Sequence, residues 1–215
     1  MSKYYPMMVN IENEKCTVVG GGNVANRKIV ELIEYGAKVT VVSMEINENI
    51  VAMVENEGKN ITYIKDSYKR EYIKGALIVI AATNNKIINL KIARDCRGEA
   101  ILVNVVDNLE CSKFIVPAKV KRGDLTITIS TNGKCPFYSK LLRKKLELEF
   151  DDGYSSIVNM LGDFRAELHS KSVSASKIKE IMASLDMEYY IKRLRKIGED
   201  DALKEMEAYV HEFLK

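Results

Sequence analysis

The run Val18-Val19-Gly20-Gly21-Gly22-Asn23-Val24-Ala25-Asn26-Arg27-Lys28 constrains the fold more than any other stretch. An apolar segment, Cys16 to Val19, enters consecutive glycines and leaves into a helical pattern with apolar residues at Val24, Ile29, Val30, Leu32 and Ile33. Strand, glycine turn and helix in immediate succession open a β-α-β unit, and Gly20-x-Gly22-x-x-Ala25 fits G-x-G-x-x-G/A in that setting. Glycine is required because the backbone must turn sharply and approach a pyrophosphate more closely than a side chain permits. Gly20, Gly21 and Gly22 supply that turn. The amides of Asn23 and Val24, at the positive end of the following helix, face the phosphates. Taken alone, the run also fits a plain strand-to-helix connection.

The remaining pattern narrows the choice. Val39–Val42 reads as a short buried strand, Ile61–Ile64 as a third strand, Leu77–Ala82 as a fourth with no polar face, and Ile101–Val106 as another continuous apolar strand. They alternate with helical periodicities over 24–35, from Ile46 to near Gly58, and over Ile87–Arg97. Strands apolar on both faces between helices predict a doubly wound, Rossmann-like parallel sheet covered on two sides. Met7–Ile11 reads as a further strand ahead of the turn Glu12-Asn13-Glu14. After Asp107 the pattern changes. Phe114–Val120 and the alternating Leu125–Ser130 flank Lys121-Arg122-Gly123-Asp124 as a hairpin, and Pro136 opens a helix through about Phe150. From Asp151 the chain reads as helices with breaks near 170–176 and 198–200. The expected domains are a nucleotide-binding unit over 1–113, a hairpin and helix over 114–150, and a helical unit over 151–215.

Composition excludes other classes. A formal net charge of +3 argues against a dedicated nucleic-acid binder. No apolar run approaches the roughly 20 residues of a membrane helix, and M-S-K-Y-Y-P has no apolar signal region, so a cytoplasmic protein is expected. The cysteines, Cys16, Cys96, Cys111 and Cys135, lack C-x-x-C spacing and lie far from His169 and His211. No resident metal site is expected, and Cys16 and Cys96 read as core residues. Both histidines read as surface helix positions.

Three more segments carry a family resemblance: Ala81-Ala82-Thr83-Asn84, Asn104-Val105-Val106-Asp107, and Ser130-Thr131-Asn132-Gly133 running into Leu141-Leu142-Arg143-Lys144-Lys145-Leu146-Glu147. With the glycine run, their order and spacing resemble the precorrin-2 dehydrogenase/sirohydrochlorin ferrochelatase family, which includes the amino-terminal module of siroheme synthases. The resemblance covers approximately Tyr5 to Phe150. It implies NAD as cofactor, a tetrapyrrole substrate, and two-electron oxidation of precorrin-2 to sirohydrochlorin. Some members also take Fe²⁺ as a second substrate, to give siroheme. A homodimer through the hairpin and helical regions is implied, and Ile157, Met160, Leu161 and Phe164 read as an apolar stripe offered to the partner. The chain stops at Lys215 without a methyltransferase module, so a stand-alone enzyme is expected.

Asp107, at the end of a buried strand, is the catalytic carboxylate by resemblance; a turn cap is its simpler reading. It is suited to accept a macrocycle proton. Asn104, Ser130 and Thr131 are the implied substrate-binding residues, and Thr83 and Asn84 flank the cofactor. At the second strand's end Ser43 and Met44 stand where an acid usually marks the NAD ribose, with Glu45 slightly late. No arginine there welcomes a 2′-phosphate, which leaves NAD preferred. The Ser130 loop lacks the two glycines that the resemblance leads one to expect, and Asn132 can adopt the positive φ that keeps the turn. Cys135 replaces a frequent serine. Lys113, Lys119, Lys121, Arg122, Lys134, Arg143 and Lys144 are candidates for substrate carboxylates, although such charges are more often a solvated surface. A regulatory domain that senses NAD without chemistry would use the same turn, but it leaves N-V-V-D and S-T-N-G without a task.

Overall fold

Lys15–Val19 (β1) carries partners on both edges. It pairs in parallel with Lys38–Val42 (β2) and Ile78–Ala81 (β4), so that Val18 stands opposite Val41 on one side and Ile80 on the other. Ile61–Ile64 (β3) and Leu102–Val105 (β5) extend the sheet to the order β3-β2-β1-β4-β5. The computed structural model describes residues 4–56, 58, 60–106 and 108–213. The chain divides into two compact units, Met1–Val116 and Pro117–Lys215.

Alternate residues of the central strands feed two separate cores. On one face Cys16, Val18, Val41 and Ile80 pack with Ala25, Ile29 and Leu32 of α1 (Asn23–Glu34) and Ile50 of α2 (Glu48–Asn56). On the other, Val79, Ala81, Val103 and Val105 meet Ile92, Ala93 and Cys96 of α3 (Lys86–Gly98), together with Ile73 from a 3-10 turn at Arg70–Ile73. Each fully buried aliphatic side chain contributes roughly 1.5–3 kcal/mol, which is why strands without a polar face need helices on both sides. The winding reverses between β1 and β4. The carboxyl ends of these two strands therefore border the crevice in which open parallel sheets bind ligands.

Two expectations about strands are corrected. Met7–Ile11 forms no strand among the described residues. The Glu12 N–H donates to Asn10 Oδ1 (3.0 Å), the Glu14 N–H donates to Ile11 O (3.0 Å), and Asn13 takes φ 62°. The local turn uses these groups, while Met7 and Met8 face solvent and leave Ile11 as the buried anchor. The hairpin's first strand begins at Ala118 rather than Phe114. The Phe114 carbonyl accepts from Asn104 Nδ2 (3.0 Å), and Pro117 has no N–H for a ladder.

In the second unit Ala118–Arg122 (β6) and Leu125–Ile129 (β7) pair antiparallel, with Arg122 opposite Leu125 across a two-residue turn. Gly123 opens that turn at φ +56°, and a Cβ there would lie 2.1 Å from Ser155 Oγ. Positive φ at the first turn position is the glycine requirement of a II′ hairpin. Pro136–Glu149 (α4) follows, then α5 (Gly153–Ser170), α6 (Ala175–Ser184), α7 (Met187–Ile197) and α8 (Glu199–Phe213). Ile157, Met160 and Phe164 are no surface stripe: they are buried against Ile178, Ile181, Ile191 and Met206 in the unit's own core. A further break, at Leu185–Asp186, separates α6 from α7. Asp186 Oδ1 accepts the Tyr189 N–H (3.1 Å) and caps α7.

Candidate functional site

The three glycines after β1 have three different surroundings. Gly20 donates its N–H to Val42 O (2.9 Å) and adopts φ +124°, with the position of a Cβ only 2.4 Å from the Ala82 carbonyl oxygen. Gly21 packs against the β2–α2 connection: a Cβ would lie 1.9 Å from Glu45 O, and Gly21 O accepts the Asn47 N–H (2.9 Å). Gly22 is different. Nothing lies within 4 Å of its Cβ position, its backbone is extended (φ −88°, ψ −172°), and it begins α1 with no side chain capping the helix. The first turn of α1 thus presents amides to an open space, as a pyrophosphate requires.

That space is a cavity of about 710 Å³ at the carboxyl end of the sheet. Gly20, Gly21, Gly22, Asn23 and Val24 line it from β1, Ser43, Met44 and Glu45 from β2, and Thr83 and Asn84 from β4. Ala25 is fully buried beneath the turn, where its small side chain brings α1 close to the sheet. The β2 end is held by its own backbone contacts. Ser43 Oγ donates to Glu45 O (2.6 Å), Tyr63 OH donates to Ser43 O (3.1 Å), and the Met44 side chain is left 57% exposed.

The sequence reading missed Asn47, Asp66, Ser67 and Tyr68 in the same wall. Asn47 had a signal, an amide residue just ahead of the α2 apolar pattern. Its Oδ1 accepts the Ile50 N–H (3.0 Å), and its Nδ2 donates to Asn23 Oδ1 (3.1 Å). Asp66 follows β3 as Thr83 follows β4. Hydrogen bonds from Lys69 Nζ (2.6 Å) and the Tyr72 hydroxyl hold its carboxyl down to about 2, so it stays anionic. Tyr68 donates to Asp95 Oδ2 (2.9 Å); burial and that carboxylate push its phenol above the ordinary tyrosine range.

The remaining candidates fall in both units. Asn104, on β5, directs its carboxamide to Phe114 O. Asp107 lies outside the described residues; the residue before it, Val106, lines the cavity. Ser130 and Thr131 belong to the second unit. Ser130 Oγ accepts the Asn132 N–H (3.0 Å), and Thr131 Oγ1 accepts the Cys135 N–H (3.1 Å). Asn132 takes φ +50°, as the loop requires without its glycine, and Cys135 is exposed just ahead of α4. Of the basic candidates, Arg143 pairs with Glu147, and Arg122 donates to Glu147 O (3.1 Å) and lies 3.4 Å from Asp152. His169 is exposed on α5, whereas the His211 side chain lies outside the described ones. No cluster of metal-ligating side chains occurs among the described residues.

Comparison with known proteins gives a consistent result. Residues 7–118 match an NAD(P)-binding family, and residues 122–147 match the central domain of sirohaem biosynthesis proteins. Siroheme synthase of Vesicomyosocius okutanii is 34% identical over 168 residues, 78% of this chain and 36% of that protein. Siroheme synthase of Psychrobacter sp. strain PRwf-1 is 37% identical over 167 residues, 78% of this chain and 34% of that one. The chain thus spans about a third of the length of the curated relatives it matches. The solved structure of SirC, a precorrin-2 dehydrogenase, superposes with a TM-score of 0.76 at 25% identity, covering 96% of this chain and 100% of SirC. Two family matches, one on each unit, and siroheme synthase relatives aligned across both place the chain in the NAD(P)-binding family of sirohaem biosynthesis proteins.

Proposed function

We propose that this chain oxidises precorrin-2 to sirohydrochlorin with NAD. The observation that carries the reading is the likeness to SirC over 96% of this chain and 100% of SirC, joined to an uncapped glycine turn that fits a pyrophosphate. When bound, NAD supplies the acceptor for the hydride. Gly20 and Gly21 shape the turn, Gly22 with the first amides of α1 holds the phosphates, and the segment Ser43–Glu45 receives the adenosine ribose. Thr83 and Asn84 close the opposite wall. Loss of a hydride leaves a proton to be removed from the macrocycle, and Asp107 is the carboxylate we assign to that transfer. Asn104, Ser130 and Thr131 are the proposed substrate contacts.

We propose further that Asp107 serves insertion of Fe²⁺ into sirohydrochlorin by taking up pyrrole protons. The chain then acts in the cytoplasm as a homodimer joined through the segment 114–150. Support for the dimer comes from α4, where exposed Phe137, Leu141 and Leu148 share one face. An anaerobic assay tests the main reading: NADH formation should accompany conversion of precorrin-2 to sirohydrochlorin. A protein that binds NAD yet forms no NADH with precorrin-2 refutes it. A monomer mass at micromolar concentration refutes the dimer.

A further inference from the structure

We infer that Asn89 is a positioning residue of the dinucleotide cavity, holding the Thr83–Asn84 wall in place; the inference rests on the dinucleotide reading of that cavity. Asn89 lies within α3, 7% exposed, on the helix that buries Ile92, Ala93 and Cys96. Carboxamides are seldom buried this far, and one that is must find partners. Asn89 finds them all in one residue. Its Oδ1 accepts from the Thr83 N–H (3.3 Å) and the Thr83 hydroxyl (2.6 Å), and its Nδ2 donates to Thr83 O (3.0 Å). A backbone N–H only donates and a carbonyl only accepts, so these partners fix which way the carboxamide faces.

The side chain does for Thr83 what a neighbouring strand does for the residues before it. Ala82 N–H still reaches Val19 O (2.8 Å), and Ala81 O still receives the Val106 N–H (3.0 Å). Beyond that point the parallel ladder ends, and the carboxamide of Asn89 carries the backbone one residue further. The Thr83 hydroxyl is used inside the loop as well, since its oxygen accepts the Asn85 N–H (3.2 Å) while its proton serves Asn89. Asn84, exposed on the same wall, is then the side chain of this turn left to meet a ligand. The Ala82 carbonyl against which Gly20 packs lies next to Thr83, so a released Thr83 disturbs both walls of the cavity.

Asn89→Leu keeps the branched outline of the side chain and removes all three bonds; Asn89→Ser keeps a polar group too short to span them. Each variant is followed by thermal unfolding, by NAD titration calorimetry, and by steady-state kinetics with NAD and precorrin-2 varied separately. At a temperature where the variant is folded, Kd and KM for NAD should rise at least tenfold. The kcat at saturating NAD and the KM for precorrin-2 should stay within threefold. A residue that merely supports the fold lowers Tm and the active fraction but leaves NAD affinity unchanged. NAD affinity within threefold of the parent in a folded variant therefore overturns the inference. If Asn89→Leu does not fold, Asn89→Ser decides by the same limits. A parental chain that binds no NAD overturns the dinucleotide reading and this inference with it.

Discussion

Replacing Gly22 by aspartate separates folding from cofactor binding. The Cβ position meets nothing within 4 Å, and the extended backbone is one that any L-residue adopts. Aspartate is also a preferred residue at the start of a helix. It improves on glycine there by a few tenths of a kcal/mol, and its charge next to the helix amino terminus adds about 0.3–1 kcal/mol. Stability should therefore hold or rise slightly. Binding moves the other way, because the carboxylate enters the space in which the pyrophosphate is expected. Two unit charges about 4 Å apart at an effective dielectric constant near 20 repel by about 4 kcal/mol. Ionic screening of an open cavity reduces this to about 3 kcal/mol, and each 1.4 kcal/mol is tenfold in Kd. Calorimetric titration should show NAD affinity weakened at least a hundredfold in a protein whose circular-dichroism melt matches or exceeds the parental one. Gly22→Ala, without the charge, should lose less than tenfold. Gly21→Ala should do the reverse and destabilise by about 1–3 kcal/mol, since its Cβ would lie 1.9 Å from Glu45 O. A folded Gly22→Asp protein with NAD affinity within threefold of the parent refutes the assignment of the phosphate site.

Asp107→Ala should lower the rate of precorrin-2 oxidation by about 10²–10⁴ while NAD affinity stays within a few-fold; oxidation at the parental rate would reduce the residue to a turn cap. Thiol labelling of the folded protein near pH 8 should modify exposed Cys135 and spare Cys16 and Cys96, whose thiols burial pushes up to about 11 and about 12. Equal labelling rates at Cys16 and Cys135 would contradict the buried sheet core. Asp66 titrates below its ordinary value of 3.8, so the stability it lends is complete above that value and is lost as pH falls through about 2. Asp66→Asn should flatten the fall of Tm over that interval, and an unchanged acid profile would show that the Lys69 and Tyr72 bonds do not form in solution.

The sheet was legible because its central strands β1 and β4 are buried on both faces, a pattern that only a two-sided cover satisfies. The glycine turn was legible because strand, turn and helix follow one another without interruption. What the sequence hid is non-local. Asp66, Ser67 and Tyr68 reach the cavity only because the link from β3 to β4 crosses back past β2 and β1. Asn89 reads as a polar interruption of a helix until Thr83 is brought beside it. Met7–Ile11 carries strand-like residues, but Met7 and Met8 face solvent and the Ile11 carbonyl closes the turn that follows. Ile157, Met160 and Phe164 show a stripe without showing its partner, and the partner is the same chain's α6, α7 and α8. Asp186 was overlooked as a cap because the apolar residues on either side sustain a helical rhythm across it.

Backbone packed against backbone at Gly20 and Gly21 also bears on how cofactor preference can change. The Ala82 and Glu45 carbonyls occupy the places where side chains would stand, so neither turn position accepts a side chain unless the backbone shifts. The end of β2 is freer: the Met44 side chain is largely exposed, and its neighbour Ser43 fastens the strand end through Glu45 O. On the proposed dinucleotide reading, substitution of Met44 should change the choice between NAD and its 2′-phosphorylated form, while the turn at Gly20 and Gly21 keeps its shape.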